Sequence, residues 1–463
     1  MHRSIRLIAS LAVVSAAVAT PLTVGANASS DWPSYLFSAR HGSRSASTAI
    51  TPANVASIRQ AWSFSAPGPT LPGQPAAGFD ASPTVFGGRV YIGSNTGVFY
   101  ALNQTTGAVV WSRLLGYVPD LTCEARGITS TATVAPDPVT SATTVYVASG
   151  DGQLFALDAL DGDVRWRSPV MPTGSTENDY YQWSSPTVAN GNVYIGFSSH
   201  CDDPLTRGGV KMYDQATGEE LATWYSVPAS VRGGGVWSSV AATGTSVFAT
   251  TGNAFTTTAY DQNSIVRLDA ATLARRAHWM VPNAELIADP DFGASPTLFT
   301  AGGVGMVGAC NKNGWFYAWR SGDLRQRWKF KVTNGTPYGQ RSCLAAAAWD
   351  GSRLFVAASG TTIDGVVAKG SVRRLDPTTG TPVWETPIDG AIIGSPAVNG
   401  GGVLSVPVYD LSGGANGVFL LDAETGAVLR YWKRGRVFSQ ATFAGNYLFI
   451  ATESNALTAM RVP

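Results

Sequence analysis

The sequence predicts an all-β protein: an eight-bladed β-propeller of four-stranded antiparallel blades, its ring closed by an N-terminal strand that completes the last blade. Three observations carry this. Eight tryptophans (Trp62, Trp111, Trp166, Trp224, Trp279, Trp328, Trp384 and Trp432) recur 48 to 58 residues apart, the length of a four-stranded blade with loops of variable size. The units between them repeat one pattern, an SP-x-V entry, short apolar strands, then TG and the closing tryptophan, as in ASPTVFGGRVYIGSNTGVFYALNQTTGAVVW from Ala81 to Trp111. The two ends are incomplete in complementary ways: FSQATFAGNYLFIATESNALTAMRV has three strands and no tryptophan, and ANVASIRQAWSF has one strand with Trp62.

In chain order, the first element is a processing signal. His2, Arg3 and Arg6 precede the apolar run LIASLAVVSAAVA, and Ala26-Asn27-Ala28 has the form of a cleavage site. Residues 1–28 are expected to be a signal peptide and 29–463 a single propeller domain, secreted or periplasmic. No lipobox cysteine follows the cleavage site, and no later segment is apolar enough to span a membrane. The eight units come next. A blade with two apolar faces is stable only between neighbours, so the ring must close. The repeated tryptophans are therefore expected to pack between blades and not to contact a ligand.

Composition excludes other classes. The net charge is +1 with no basic run, so no nucleic-acid partner is expected. GVGMVG from Gly303 to Gly308 lies within a strand with no helix after it, which rules out dinucleotide binding. Walker A, H-E-x-x-H, G-x-S-x-G and C-x-x-C-H patterns are missing. Only His41, His200 and His278 follow the leader, too few to favour a Ser-His-Asp hydrolase. Cys123, Cys201, Cys310 and Cys343 allow three pairings. Cys123 and Cys201 fall in loops of neighbouring blades, as do Cys310 and Cys343, which favours those two bridges without proving them.

Through ALNQTTGAVVW and its sister repeats, the opening DWPSYLFSARHGSRSASTAITPANVASIRQAW and DPDFGASP at Asp289–Pro296, the chain resembles the quinoprotein alcohol dehydrogenase superfamily, chiefly its polyvinyl-alcohol-dehydrogenase type. The resemblance covers nearly all of the mature chain. It implies pyrroloquinoline quinone (PQQ) and Ca²⁺ as cofactors. It also implies a small-molecule or polymeric alcohol as substrate and, with no haem motif present, a separate electron acceptor. A monomer is expected.

The loops after the second and the outermost strands open on one face of each blade, and over blades 2 to 5 they carry one candidate cluster. Arg126 and Lys312 can hold carboxylates of an anionic ring system, and Trp237 can stack on it. Asn253 with Asp202 or Asp203 can supply oxygen ligands to a hard cation. Asp291 can take the hydroxyl proton of an alcohol. The resemblance assigns Arg126 to the cofactor carboxylates, Trp237 to ring stacking, Lys312 to a place beside the quinone oxygens, Asn253 to calcium and Asp291 to catalysis; Asp289 is a supporting candidate read from its place in the same loop. Two features depart from the family. The adjacent cysteine pair is missing, and no glutamate stands in SSHCDD, where the family has a calcium ligand. Each residue also has a plain structural reading: Lys312 and Asn253 in turns, Asp291 as a strand cap, Trp237 as packing, Arg126 in a surface ion pair, His200 as a loop histidine. The competing function is a non-catalytic propeller, a binding or envelope-assembly scaffold.

Overall fold

The computed structural model describes residues 31–119, 126–172, 179–333 and 342–463. The expected leader, 1–28, lies outside them. Eight small antiparallel sheets follow one another around a ring. Blade 1 comprises Thr84–Phe86, Arg89–Gly93, Val98–Asn103 and Val109–Leu114. Blades 2 to 7 repeat this order, starting at Thr133, Thr187, Ala241, Thr297, Ala348 and Ala397. Blade 8 is composite. Thr442–Ala444, Tyr447–Thr452 and Ala456–Arg461 are completed by Arg59–Phe64, which pairs antiparallel with the last of them. The expected closure is present.

The repeat motif is explained by how each blade grips the next. The indoles of Trp62, Trp111, Trp166, Trp328 and Trp384 each lie against the glycine of the following blade's TG turn: Gly107, Gly162, Gly218, Gly380 and Gly426. Those glycines have φ of 72° to 78°, and a Cβ there would strike the indole at 2.3–2.6 Å. Glycine is thus required both by the turn and by the ring above it. Four of the indoles also donate Nε1–H to a carbonyl of that blade.

Nearer the axis, the serine of SP-x-V does the same work with a hydroxyl. The backbone N–H of Ser82 donates to Thr131 Oγ1, Thr131 to Ser185 Oγ, Ser185 to Ser239 Oγ and Ser239 to Ser295 Oγ. Ala346 donates to Ser395 Oγ and Gln440 to Ser82 Oγ, all at 2.9 to 3.1 Å. Six of the eight blade junctions are closed this way. At the fifth the acceptor position is Ala346, which has no hydroxyl.

A feature not anticipated from the sequence is the N-terminal arm, residues 31–50. It runs around the lower mouth of the ring and meets the innermost strand of one blade after another. Trp32 pairs with Val85, and the carbonyls of Pro33, Ala39, Arg40, Gly42 and Ser43 accept N–H bonds from Val134, Ala242, Leu298, Trp349 and Val398. Arg44–Ser45 continues as a parallel strand on Ala397–Asn399. Innermost strands are unpaired edges, and the arm satisfies them. It is pinned by Trp32, Leu36 and His41, all buried.

His41 Nδ1 sits 2.9 Å from the Pro296 carbonyl, and burial pushes the imidazole pKa down to about 4. The folded protein holds this proton less tightly than the unfolded chain does. Stability is therefore complete above pH 6.5 and is lost as pH falls toward 4. The expected contribution is up to about 3 kcal/mol. Urea unfolding of wild type and His41→Asn at pH 7 and pH 4.5 checks this: the pH dependence should shrink in the variant.

Candidate functional site

The axis opens on the upper face into a cavity of about 790 Å³, within the range of cofactor and small-molecule sites. Its shape follows from the repeat. At the start of each blade, the residue two before the SP serine position faces the axis: Asp80, Thr129, Trp183, Trp237, Gly293, Leu344, Ile393 and Phe438. Six of them, all but Thr129 and Gly293, line both the cavity and a smaller hydroxyl-lined chamber below it. Gly293 has no side chain because Trp237 and Leu344 fill its space, at 2.4 Å from where a Cβ would stand.

Arg126, Trp237, Lys312, Asn253, Asp291 and Asp202 all line this cavity, as do Asp289 and His200. Asp202 and Asp203 are both exposed, but Asp203 is not part of the lining. Of the two aspartates offered as metal ligands, only Asp202 reaches the cavity. His200 is buried and stacks on Tyr181, with ring centroids 5.0 Å apart.

Lys312 is the hub. Its Nζ donates to both oxygens of Asp289 at 3.0 and 2.9 Å and to Asp291 Oδ2 at 3.1 Å, and it sits 5.2 Å from the Trp237 ring centroid. Burial works against its charge, but Asp291 and Asp289 outweigh burial and raise its pKa. Its loop is rigid. Asn311 Nδ2 donates to the Pro290 carbonyl, Asn313 N–H to Asn311 Oδ1, and Ser342 Oγ–H to the Lys312 carbonyl. The disulfide between Cys310 and Cys343, Cα atoms 5.4 Å apart, ties this loop to the segment carrying Leu344. Cys201 is also disulfide-bonded; its expected partner, Cys123, lies outside the described residues.

Asp291 Oδ1 accepts the Asn253 N–H at 2.6 Å, and Gly252 leaves room for that carboxylate. The side-chain amide of Asn253 has no hydrogen-bond partner among the described residues. The buried Nε1–H of Trp237 meets no acceptor among the described residues. On the other side of Trp237, Arg126 donates to buried Asp80 at 3.0 Å and lies 5.1 Å over the Trp183 ring. Two cations thus flank two indoles from neighbouring blades. Sequence reasoning missed Trp183 and Asp80. The signal was there: Trp183 in WSSP stands where Trp237 stands in WSSV. It also missed Tyr409, Arg436 and Glu453, on the far wall.

Among the described residues, the lining carries three cations (Arg126, Lys312, Arg436) against five carboxylates (Asp80, Asp202, Asp289, Asp291, Glu453). Burial, and then the charges of Asp291 and Asp289, push the Asp202 pKa up to about 6, against the opposing pull of Lys312. No group of three carboxylate, thiol or imidazole ligands stands together among the described residues, so the fit to a divalent cation rests on the two excess negative charges and on oxygen donors in Asp202 and Asn253. The lining also fits a flat anion, which the cations and indoles can hold once that excess is neutralised.

Fold and site together define a propeller with an axial cup lined by tryptophan and by charged side chains. The comparisons place it more narrowly. The family described as glucose/ethanol/alcohol dehydrogenase, beta-propeller domain, matches residues 32–319, and the chain belongs to this PQQ-repeat family. A second family, outer membrane protein assembly factor BamB, matches residues 312–462. A quinohemoprotein alcohol dehydrogenase of Comamonas testosteroni is 28% identical over 43% of this chain and 26% of its own. A polyvinylalcohol dehydrogenase of Sphingopyxis sp. (strain 113P3) is 25% identical over 59% and 42%. The matched region spans less than half of either relative. Among solved structures, the C. testosteroni enzyme superposes with a TM-score of 0.72 at 18% identity, covering 94% of this chain and 81% of that one. BamB of Moraxella catarrhalis gives 0.56 at 15%, covering 87% and 99%. These likenesses show the fold alone.

In the protein without added cation, the raised Asp202 pKa makes its ionised form a liability. Folding favours the protonated carboxyl, so this contribution to stability fades as pH rises from about 4 through 6. Asp202→Asn should raise Tm at pH 7.5 by on the order of 1–2 °C and change it less at pH 4.5, as scanning calorimetry in chelator would show.

Proposed function

We propose that this protein is a PQQ- and calcium-dependent alcohol dehydrogenase that acts outside the cytoplasm after loss of residues 1–28, with 29–463 as its one propeller domain. The observation that supports this best is the convergence of Asp291, Lys312, Asn253 and Trp237 on one cavity, in a chain of the PQQ-repeat family. Arg126 and Lys312 would hold carboxylates of the quinone over Trp237, and Asn253 with Asp202 would hold the cation. When bound, these groups supply a two-electron acceptor for hydride and a Lewis acid.

The chain's own residues do the rest. Asp291 takes the hydroxyl proton of the alcohol as hydride leaves carbon. Both of its oxygens are already fixed, one by the Asn253 N–H and one by Lys312, and each keeps a lone pair for the incoming proton. Lys312 keeps the carboxylate aimed. The indoles and Phe438, Leu344 and Ile393 exclude water from the cavity floor. Electrons then leave to a separate acceptor. No helix among the described residues is long and apolar enough to cross a membrane, and the protein is proposed to work as a monomer on a small or polymeric alcohol.

The BamB match over residues 312–462, with the missing glutamate, favours a second reading: an envelope-assembly scaffold with no catalysis. Titration of the protein with PQQ and Ca²⁺, followed by tryptophan fluorescence and then by dye reduction with a panel of alcohols, separates the two. The dehydrogenase predicts quenching that needs both ligands, and turnover that falls at least about a hundredfold in Asp291→Ala with quenching retained. No quenching at any ratio would leave the scaffold.

A further inference from the structure

The cavity wall formed by blades 7 and 8 holds a cation that the cofactor reading does not use. Arg436 reaches the cavity just before Phe438. Its Nε donates to Glu453 Oε2 at 2.9 Å, and its guanidinium carbon lies 5.5 Å from the Tyr409 ring centroid. Glu453 is held in turn by the Tyr409 hydroxyl, which donates to Oε1 at 2.7 Å. The backbone N–H of Glu453 donates to the Arg436 carbonyl at 3.1 Å. Gly435, at φ 102°, allows the close approach, because a Cβ there would lie 2.5 Å from Ser454 Oγ.

The contrast with Lys312 is chemical. Lys312 has committed all three of its N–H donors to Asp289 and Asp291. Arg436 has committed one nitrogen of three. Its two terminal NH₂ groups have no acceptor among the described residues, and its side chain is 46% exposed within the cavity lining. A guanidinium fixed at Nε, resting on an aromatic ring, presents a fork that matches a carboxylate bidentately. Beside it, Phe438, Leu411 and Ile393 offer an apolar surface in the same cavity.

We infer that Arg436, oriented by Glu453 and Tyr409, is a carboxylate-binding subsite for a ligand whose carboxylate is attached to a short aliphatic or flat apolar segment. The subsite does not need the cofactor reading. The carboxylate could belong to a substrate or to the quinone, and the variants separate these sources.

Pentanoate and pentan-1-ol serve as probes, titrated into wild type, Arg436→Gln and Arg436→Lys by calorimetry or ligand-observed NMR. Pentanoate should bind wild type and weaken roughly 10- to 100-fold in Arg436→Gln. Arg436→Lys should recover only part of this, because it restores charge without the fork, and pentan-1-ol should respond to neither change. Pentanoate that fails to bind wild type, or binds Arg436→Gln equally well, overturns the subsite. The same variants are titrated with PQQ and Ca²⁺. Weaker quinone binding in Arg436→Gln assigns the carboxylate to the quinone. Unchanged quinone binding, with a higher KM for 5-hydroxypentanoate but not for pentan-1-ol, assigns it to the substrate. If wild type binds pentanoate through Arg436 and no quinone at all, the dehydrogenase reading falls and the subsite stands.

Discussion

Everything in this molecule depends on one blade gripping the next. A four-stranded blade buries too little alone, and its inner and outer strands are both open edges. The grip is built twice from short motifs. Near the rim, an indole lies on a bare glycine and donates its N–H across the junction. Near the axis, a backbone N–H finds a serine or threonine hydroxyl in the neighbour. The first supplies area and dispersion. The second supplies register, since a buried N–H without its acceptor would cost about 1–3 kcal/mol. Both contacts repeat around a closed ring, so each blade's position is set from two sides. The axial side chains stand on the short entry segments just before the innermost strands, which the hydroxyl contacts tie to their neighbours, the condition a preorganised site requires.

The site is a by-product of that geometry turned to use. The same sequence position in each blade faces the axis, and what stands there varies freely: an acid, a threonine, two indoles, a glycine, two aliphatics and a phenylalanine. The loops above add charge, and they add more negative than positive. The consequence is electrostatic frustration, visible in the raised Asp202 pKa and in Lys312, clamped by two aspartates. A cavity left in that state is poised for a cation.

The ring was legible because its physics is periodic. Tryptophan, TG and SP recur at blade spacing, and each has a single structural job. The cluster of Asp291, Lys312, Asn253, Trp237 and Arg126 was legible because loops after the second and outermost strands share a face. Three things escaped. Asp203 was offered as an equal alternative to Asp202, and sequence cannot say which of two adjacent turn residues looks inward. Arg436, Glu453 and Tyr409 come from two blades and meet only in space, and no local motif marks them. The arm at 31–50 has no periodicity, since it bonds to six blades in turn, mostly through backbone carbonyls, which any residue carries.

That arm has a further effect. By circling the lower mouth and placing Tyr35 in the chamber beneath the floor, it turns what would be a tunnel into a blind cup. Traffic then runs through one door. A molecule that enters must back out the way it came. If an alcohol and an electron acceptor both call at this cup, they must alternate, and the protein would have to keep what the first leaves behind until the second arrives.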